Sequence, residues 1–147
     1  MEFPILTYMI FVPLAGMIVV MLLNKEAHNL IRYTSAAFSF VVFVLSCILV
    51  ANFDGSTAQL QFVERTDWIP SLGITYYLGA DGISVPMLFL TGMLSFLSIV
   101  ASFNITNRVK EYFAFFLLLE VGMVGVFCAL DFFLFYIFWE VMLVPMY

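Results

Sequence analysis

From Tyr112 to Tyr147 the chain is almost wholly apolar and contains no Lys or Arg, yet it holds three acids, Glu120, Asp131 and Glu140. Apolar runs of this length cross a bilayer as helices, because a helix satisfies its own backbone hydrogen bonds where no water is available. A charge at the centre of such a span costs roughly 3 kcal/mol on insertion scales, so a carboxylate there needs a reason. Acids on two consecutive spans point to proton handling.

The rest of the sequence obeys the same constraint. Hydrophobic residues make up 65% of it and charged residues 10%, with a mean hydropathy of +1.12, which is the composition of an integral membrane protein. The net charge of −5 and the scattered basic residues argue against nucleic acid as a partner. Met1-Glu2-Phe3 has neither a basic n-region nor a cleavage site nearby, so the first apolar run is expected to remain as a span. Cys47 and Cys128 stand alone in apolar segments, with one His in the chain; no metal site, iron–sulfur site or disulfide framework is expected.

The fold class is all-α, a polytopic transmembrane helical bundle forming a single membrane domain over residues 1–147. Four complete spans are predicted, at 3–23, 33–53, 83–103 and 112–130, each near the roughly 20 residues that 30 Å of hydrocarbon requires. A fifth, 132–147, is incomplete and lacks a polar flank, which reads as the amino-terminal fragment of a larger subunit. Orientation follows from Lys and Arg, which are retained in short cytoplasmic loops. Lys25 and Arg32 mark one connection as cytoplasmic and Arg108 and Lys110 another, whereas Asp54 to Gly82 has only Arg65 among four acids and belongs outside. The N-terminus is then outside.

Within that outer segment, residues 59–64 and 73–77 alternate or are β-branched and aromatic, as in a short hairpin, and Trp68 with nearby Pro70 suits either an interfacial anchor or a loop aromatic packed on the hairpin. Ser35 and Ser39, then Ser95, Ser98 and Ser102, recur at helical spacing and suit close helix packing. Pro13 is placed to kink the first span, while Pro86 falls in the first turn of the third, where its missing amide costs little.

Glu120 lies ten residues before the expected outer end of its helix and Glu140 eight residues after the start of the next, about 15 and 12 Å deep. The two acids share a level, but the count does not fix whether they face each other. Lacking a Lys or Arg in these spans, they are either protonated or paired with a cation elsewhere. Tyr136, one turn before Glu140, is placed to donate a hydrogen bond to it, and Pro145 frees the carbonyl of Val141. Asp131 suits a turn and Asp81 a helix N-terminus.

Leu78-Gly-Ala-Asp-Gly-Ile-Ser84, followed by Leu90-Thr91, resembles the outer-loop-to-third-helix signature of the antiporter-like membrane subunits of respiratory complex I. Leu119-Glu-Val-Gly-Met-Val-Gly-Val-Phe127 and the run Asp131 to Tyr147 are similar to the fourth and fifth helices of the chain M (mitochondrial subunit 4) branch of that family. The resemblance implies a subunit of about fourteen helices that holds no redox cofactor and moves protons, while NADH, flavin, iron–sulfur clusters and quinone are handled by partner subunits. It implies that Glu140 is the fifth-helix glutamate that pairs with a lysine on the seventh helix and carries the proton. Glu120 is then the fourth-helix acid, a secondary relay or tuning group.

The function expected is that of a proton-translocating membrane-arm subunit of NADH:quinone oxidoreductase, with no catalysis by this segment alone. Its partners are the neighbouring antiporter-like and other membrane-arm chains and the lipid of an energy-transducing membrane, the bacterial inner membrane. Two alternatives stand beside it: a subunit of a multi-subunit cation/proton antiporter or a membrane-bound hydrogenase, and a small helical protein with a structural or assembly role.

Overall fold

The computed structural model describes residues 5–53, 61–104 and 108–146, without the side chains of 61–62, 65–69 and 146. Helix α1 spans Ile5–Leu22, α2 His28–Ala51, α3 Ser84–Ala101, α4 Val109–Cys128 and α5 Phe132–Met146. Strands β1 (Gln61–Ile69) and β2 (Ile74–Ala80) form an antiparallel hairpin between α2 and α3. Four of the helices are long and apolar enough to cross a membrane, and α5 is a shorter apolar helix. The chain is a polytopic helical membrane protein.

Helix ends differ from the ends of the apolar runs, and the differences have local causes. Helix α2 starts at His28 rather than near Tyr33, with a polar first turn in which Arg32 Nη1 donates to Asn29 Oδ1 at 3.1 Å. Hydropathy measures the hydrocarbon-compatible stretch, not the helix. Helix α4 stops at Cys128 rather than Leu130 because Ala129 leaves it to bridge Leu78, and the Leu130 amide donates to the Tyr77 carbonyl at 2.8 Å. Pro13 is buried within α1, which continues through it as one element.

Helix α4 is the hub, packing on α1, α2, α3 and α5. Without a hydrophobic force between helices in lipid, close approach by small residues supplies the association. Ser35, Ser39 and Ser46 on α2 and Thr91 and Ser95 on α3 are buried as that principle requires. At Gly92 a Cβ would stand 3.3 Å from the Phe43 Cα, so α2 and α3 nearly touch backbone to backbone. Large apolar side chains such as Phe11, Met21, Phe40, Leu97 and Phe115 remain on the outside, suited to lipid or to further helices.

The α4–α5 contact is tighter still. A Cβ on Gly122 would lie 2.9 Å from the Met142 Cα and nitrogen, and one on Gly125 would meet the Phe138 ring. Gly122→Ala therefore has no side chain to push aside and must move α5 itself. We expect it to destabilise the chain by about 1–3 kcal/mol, the usual cost of overpacking, read as a lower melting temperature in detergent; an unchanged value would show that α5 is loosely held.

The hairpin is longer than the pieces at 59–64 and 73–77, reaching from Gln61 to Ala80 with pairs such as Glu64↔Leu78 and Thr66↔Tyr76. Gly73 belongs to the turn, not the strand: its φ of 69° favours glycine there. Residues 59 and 60 and the Trp68 side chain lie outside the described residues.

Two anchors fix the hairpin across one end of the bundle. Glu64 Oε2 accepts the Leu6 and Thr7 amides at 3.0 and 3.2 Å, capping α1 from a distant strand, and Thr7 Oγ1 bonds both Glu64 Oε1 and the Tyr76 hydroxyl. At the other anchor Asp131 Oδ2 accepts the Thr75 amide and hydroxyl at 3.1 and 3.3 Å, while Oδ1 caps α5 through the Phe133 and Leu134 amides at 2.9 and 3.2 Å. These bonds, the Thr75 amide foremost, hold the Asp131 carboxyl below the usual carboxylate range. A lowered folded-state pKa adds stability at neutral pH that is lost as pH falls through that pKa. Asp81 is held low likewise, by the Ser84 and Ile83 amides at the start of α3.

Candidate proton-handling site

Both mid-span acids are set at one depth by the element that ends α4 and starts α5. Glu120 is eight residues before Cys128 and Glu140 eight residues after Phe132, so each lies about 12 Å from the hairpin end at 1.5 Å per residue. The Asp131 turn makes the helices antiparallel neighbours.

Equal depth does not bring the acids together. A helix turns about 100° per residue, and the α5-facing positions of α4 are Gly122 and Gly125, whereas those of α5 facing α4 are Phe138 and Met142. Glu120 is about 140–160° round from its pair, and Glu140 about 160° from each of its own. The carboxyls point away from each other on opposite sides of the α4–α5 seam.

Glu120 is fully buried where α4 meets α2 and α3. Its Oε2 accepts a hydrogen bond from Ser39 Oγ at 3.0 Å. Ser95 lies beside the same carboxyl group, but neither its hydroxyl nor Glu120 Oε1 completes a hydrogen bond of normal geometry, and the buried Ser35 hydroxyl has no partner among the described residues. Glu140 has the opposite setting. It is exposed on the outer face of α5, with the Tyr136 hydroxyl, one turn before it, beside its carboxyl group. Glu140 is thus open to whatever packs on that face, while Glu120 meets only groups inside the helix cluster.

Among the described residues no group of three or more His, Cys, Asp or Glu is arranged to hold a metal. The Cys128 thiol is buried and donates to the Val124 carbonyl at 3.2 Å.

Sequence reasoning assigned Ser39 and Ser95 to packing alone and missed that they surround Glu120. A signal was present: Ser39 lies twelve residues before the end of α2 and Ser95 eleven after the start of α3, depths of about 18 and 17 Å at 1.5 Å per residue, about 5–6 Å from the level of Glu120. Glu64 was counted as loop charge, and only the docked hairpin reveals it as the cap of α1.

Residues 7–128 match the protein family described as NADH-ubiquinone oxidoreductase chain 4, amino terminus. The chain is 36% identical to NADH-quinone oxidoreductase subunit M of Rickettsia prowazekii, an alignment covering all of this chain and 31% of that protein. It is 39% identical to the subunit M of Rhodobacter capsulatus over 97% of this chain and 28% of that protein. To NADH-ubiquinone oxidoreductase chain 4 of Arabidopsis thaliana it is 38% identical, over 97% of this chain and 29% of the relative. The chain thus spans about a third of the length of the curated relatives it matches.

Proposed function

The chain belongs to the NADH-ubiquinone oxidoreductase chain 4 family, and on that premise we propose that it serves as a proton-translocating membrane-arm subunit of NADH:quinone oxidoreductase, with Glu140 as proton carrier and Glu120 as a secondary group. The observation that carries the reading is the placement of Glu140: mid-depth, on a face turned away from α4, beside Tyr136 and open to a further helix. A carboxyl group in a low-dielectric setting keeps its proton when alone and yields it when a cation approaches. A lysine on another helix, as the family pairing implies, supplies that cation. Movement of the cation toward and away from Glu140 then releases and recaptures a proton, while Tyr136 steadies the carboxylate.

Redox chemistry belongs in this reading to partner subunits, which bind NADH, flavin, iron–sulfur clusters and quinone. The test is co-purification. A tagged chain drawn from gently solubilised membranes is expected to bring flavin- and iron–sulfur-containing partners with NADH oxidation activity. Recovery of a membrane assembly without flavin or iron–sulfur would replace this reading with that of a cation/proton antiporter.

In this reading the subunit lies in an energy-transducing membrane, the bacterial inner membrane, with the hairpin and the N-terminus outside; the position of Lys25, Arg32, Arg108 and Lys110 toward the opposite end from the hairpin supports that orientation. Single cysteines at Ser71 in the hairpin turn and at Asn24 between α1 and α2, both exposed, are expected to react with an impermeant maleimide from opposite sides in a chain lacking Cys47 and Cys128. Labelling of both from one side would reject the orientation.

A further inference from the structure

Where the end of α2 meets the start of α3 there is a cleft of about 280 Å³, lined by Val50, Phe53, Gly82, Val85, Pro86 and Phe89. Gly82 keeps it open: a Cβ there would stand 4.0 Å from Phe53 Cζ, and a longer side chain would enter the space. From the cleft an aromatic seam runs toward mid-membrane. The Phe89 ring centre lies 5.8 Å from that of Phe43, Phe43 lies 6.3 Å from Phe96, and Phe96 lies 5.3 Å from Phe40. Phe40 and Phe96 each follow a serine that meets Glu120, Ser39 or Ser95, so each is turned about 100° from the side facing α4. The seam therefore lies on the outside of the α2–α3 pair, with Phe40 48% exposed, while α5 packs on α4 and β2. Beside Gly82, Asp81 Oδ1 accepts the Ser84 and Ile83 amides at 2.8 and 3.0 Å, which leaves a carboxylate at the mouth of the cleft. We propose that the cleft and the seam below it bind one acyl chain of a phospholipid in the hairpin-side leaflet, whose primary ammonium headgroup pairs with Asp81.

The chemistry of the cleft selects this occupant. Both helices are long and apolar enough to cross a membrane, so the medium against this face is hydrocarbon. An extended peptide would bring backbone N–H and C=O groups that an apolar lining cannot pair, and a helix, about 10 Å across, is too broad for a cleft of this volume. An acyl chain has no polar group to satisfy and bends to fit. The length also suits: Gly82 to Phe96 is fourteen residues, about 21 Å at 1.5 Å per residue, which exceeds the depth of one leaflet, about 15 Å or half the hydrocarbon core. Charge selects the headgroup. The segment from Asp54 to Gly82 carries four acids against Arg65, which repels an anionic headgroup, and Asp81 attracts an ammonium.

The site makes no use of Glu120 or Glu140, and its test reads lipid rather than protons. The intact membrane complex is reconstituted in nanodiscs with a trace of phosphatidylethanolamine bearing a diazirine in mid-chain, irradiated, and its cross-linked peptides are identified by mass spectrometry. Cross-links are expected on the segments holding Phe43, Phe89 and Phe96, about two- to fivefold above those from a phosphatidylglycerol probe with the same chain, the scale of one exposed ion pair. Asp81→Asn, which keeps a good helix cap, is expected to erase that preference and leave the cross-linking itself. Gly82→Leu, which fills the cleft, is expected to lower cross-linking at Phe89 at least about fivefold. Equal labelling by the two probes in the unaltered complex, or none at these segments, overturns the proposal without recourse to a variant. So does a Gly82→Leu complex that assembles and labels as before, because the chain then lies outside the cleft. A protein helix seated on Phe40 and Phe96 in an electron-microscopy map of the complex overturns it as well.

Discussion

Glu140→Ala in the intact membrane complex is expected to reduce proton-coupled quinone reduction at least about 100-fold, the low end of what removing an obligatory proton-transfer group costs, and Glu140→Asp to retain part of the activity. The difference is one of reach. Asp keeps the exchangeable proton but withdraws it by a methylene from Tyr136 and from any cation on the outer face of α5, whereas Ala keeps no proton and leaves the cation without its counter-charge. Oxidation of NADH by an artificial acceptor, which bypasses the membrane arm, should be unaffected. Assembly has to be measured alongside, because loss of one member of a buried pair also destabilises a subunit. Glu140 lies on the open face of α5 rather than in the α4 seam, so the helix pair described here has no packing reason to fail. Normal assembly with wild-type pumping per electron would reduce Glu140 to a structural residue and end the proton-carrier reading.

The number of helices, the hairpin and the level of the two acids were legible in the sequence because each rests on a local signal: apolar run length, strand-type alternation, and counting at a fixed rise per residue. The relative facing of Glu120 and Glu140 was not. It depends on which side of α4 carries the seam, and that is decided by Gly122 and Gly125 admitting Met142 and Phe138, a long-range fit that periodicity cannot reveal among so many apolar residues. The same limit applies to Glu64 and Thr7, which meet across 57 residues to close the start of α1. Asp81 and Asp131, by contrast, cap helices that begin within three residues of them, and a local rule suffices to place them. Helix ends were misplaced wherever polar residues extended a helix past its apolar stretch, as from His28 to Arg32, or wherever a strand drew the chain away early, as at Ala129.

Glu120→Gln is expected to lower proton pumping about five- to tenfold, well short of the loss at Glu140 and below the roughly 100-fold of an obligatory transfer group. The amide preserves the shape of the side chain and still accepts from Ser39, so the packing of α2 on α4 should survive and the melting temperature should change little. Glu120→Leu is the informative contrast. It removes the acceptor, leaves the Ser39 hydroxyl buried and unbonded, and should lower both stability and pumping, whereas Gln lowers pumping alone. Because the two acids face opposite sides of the α4–α5 seam, their effects should also be separable: Glu120→Gln added to Glu140→Asp should multiply the two losses, as for sites that share no partner. A combined loss no greater than that of Glu140→Asp alone would show that the two carboxyls do not contribute independently, and the secondary role given to Glu120 would have to be given up.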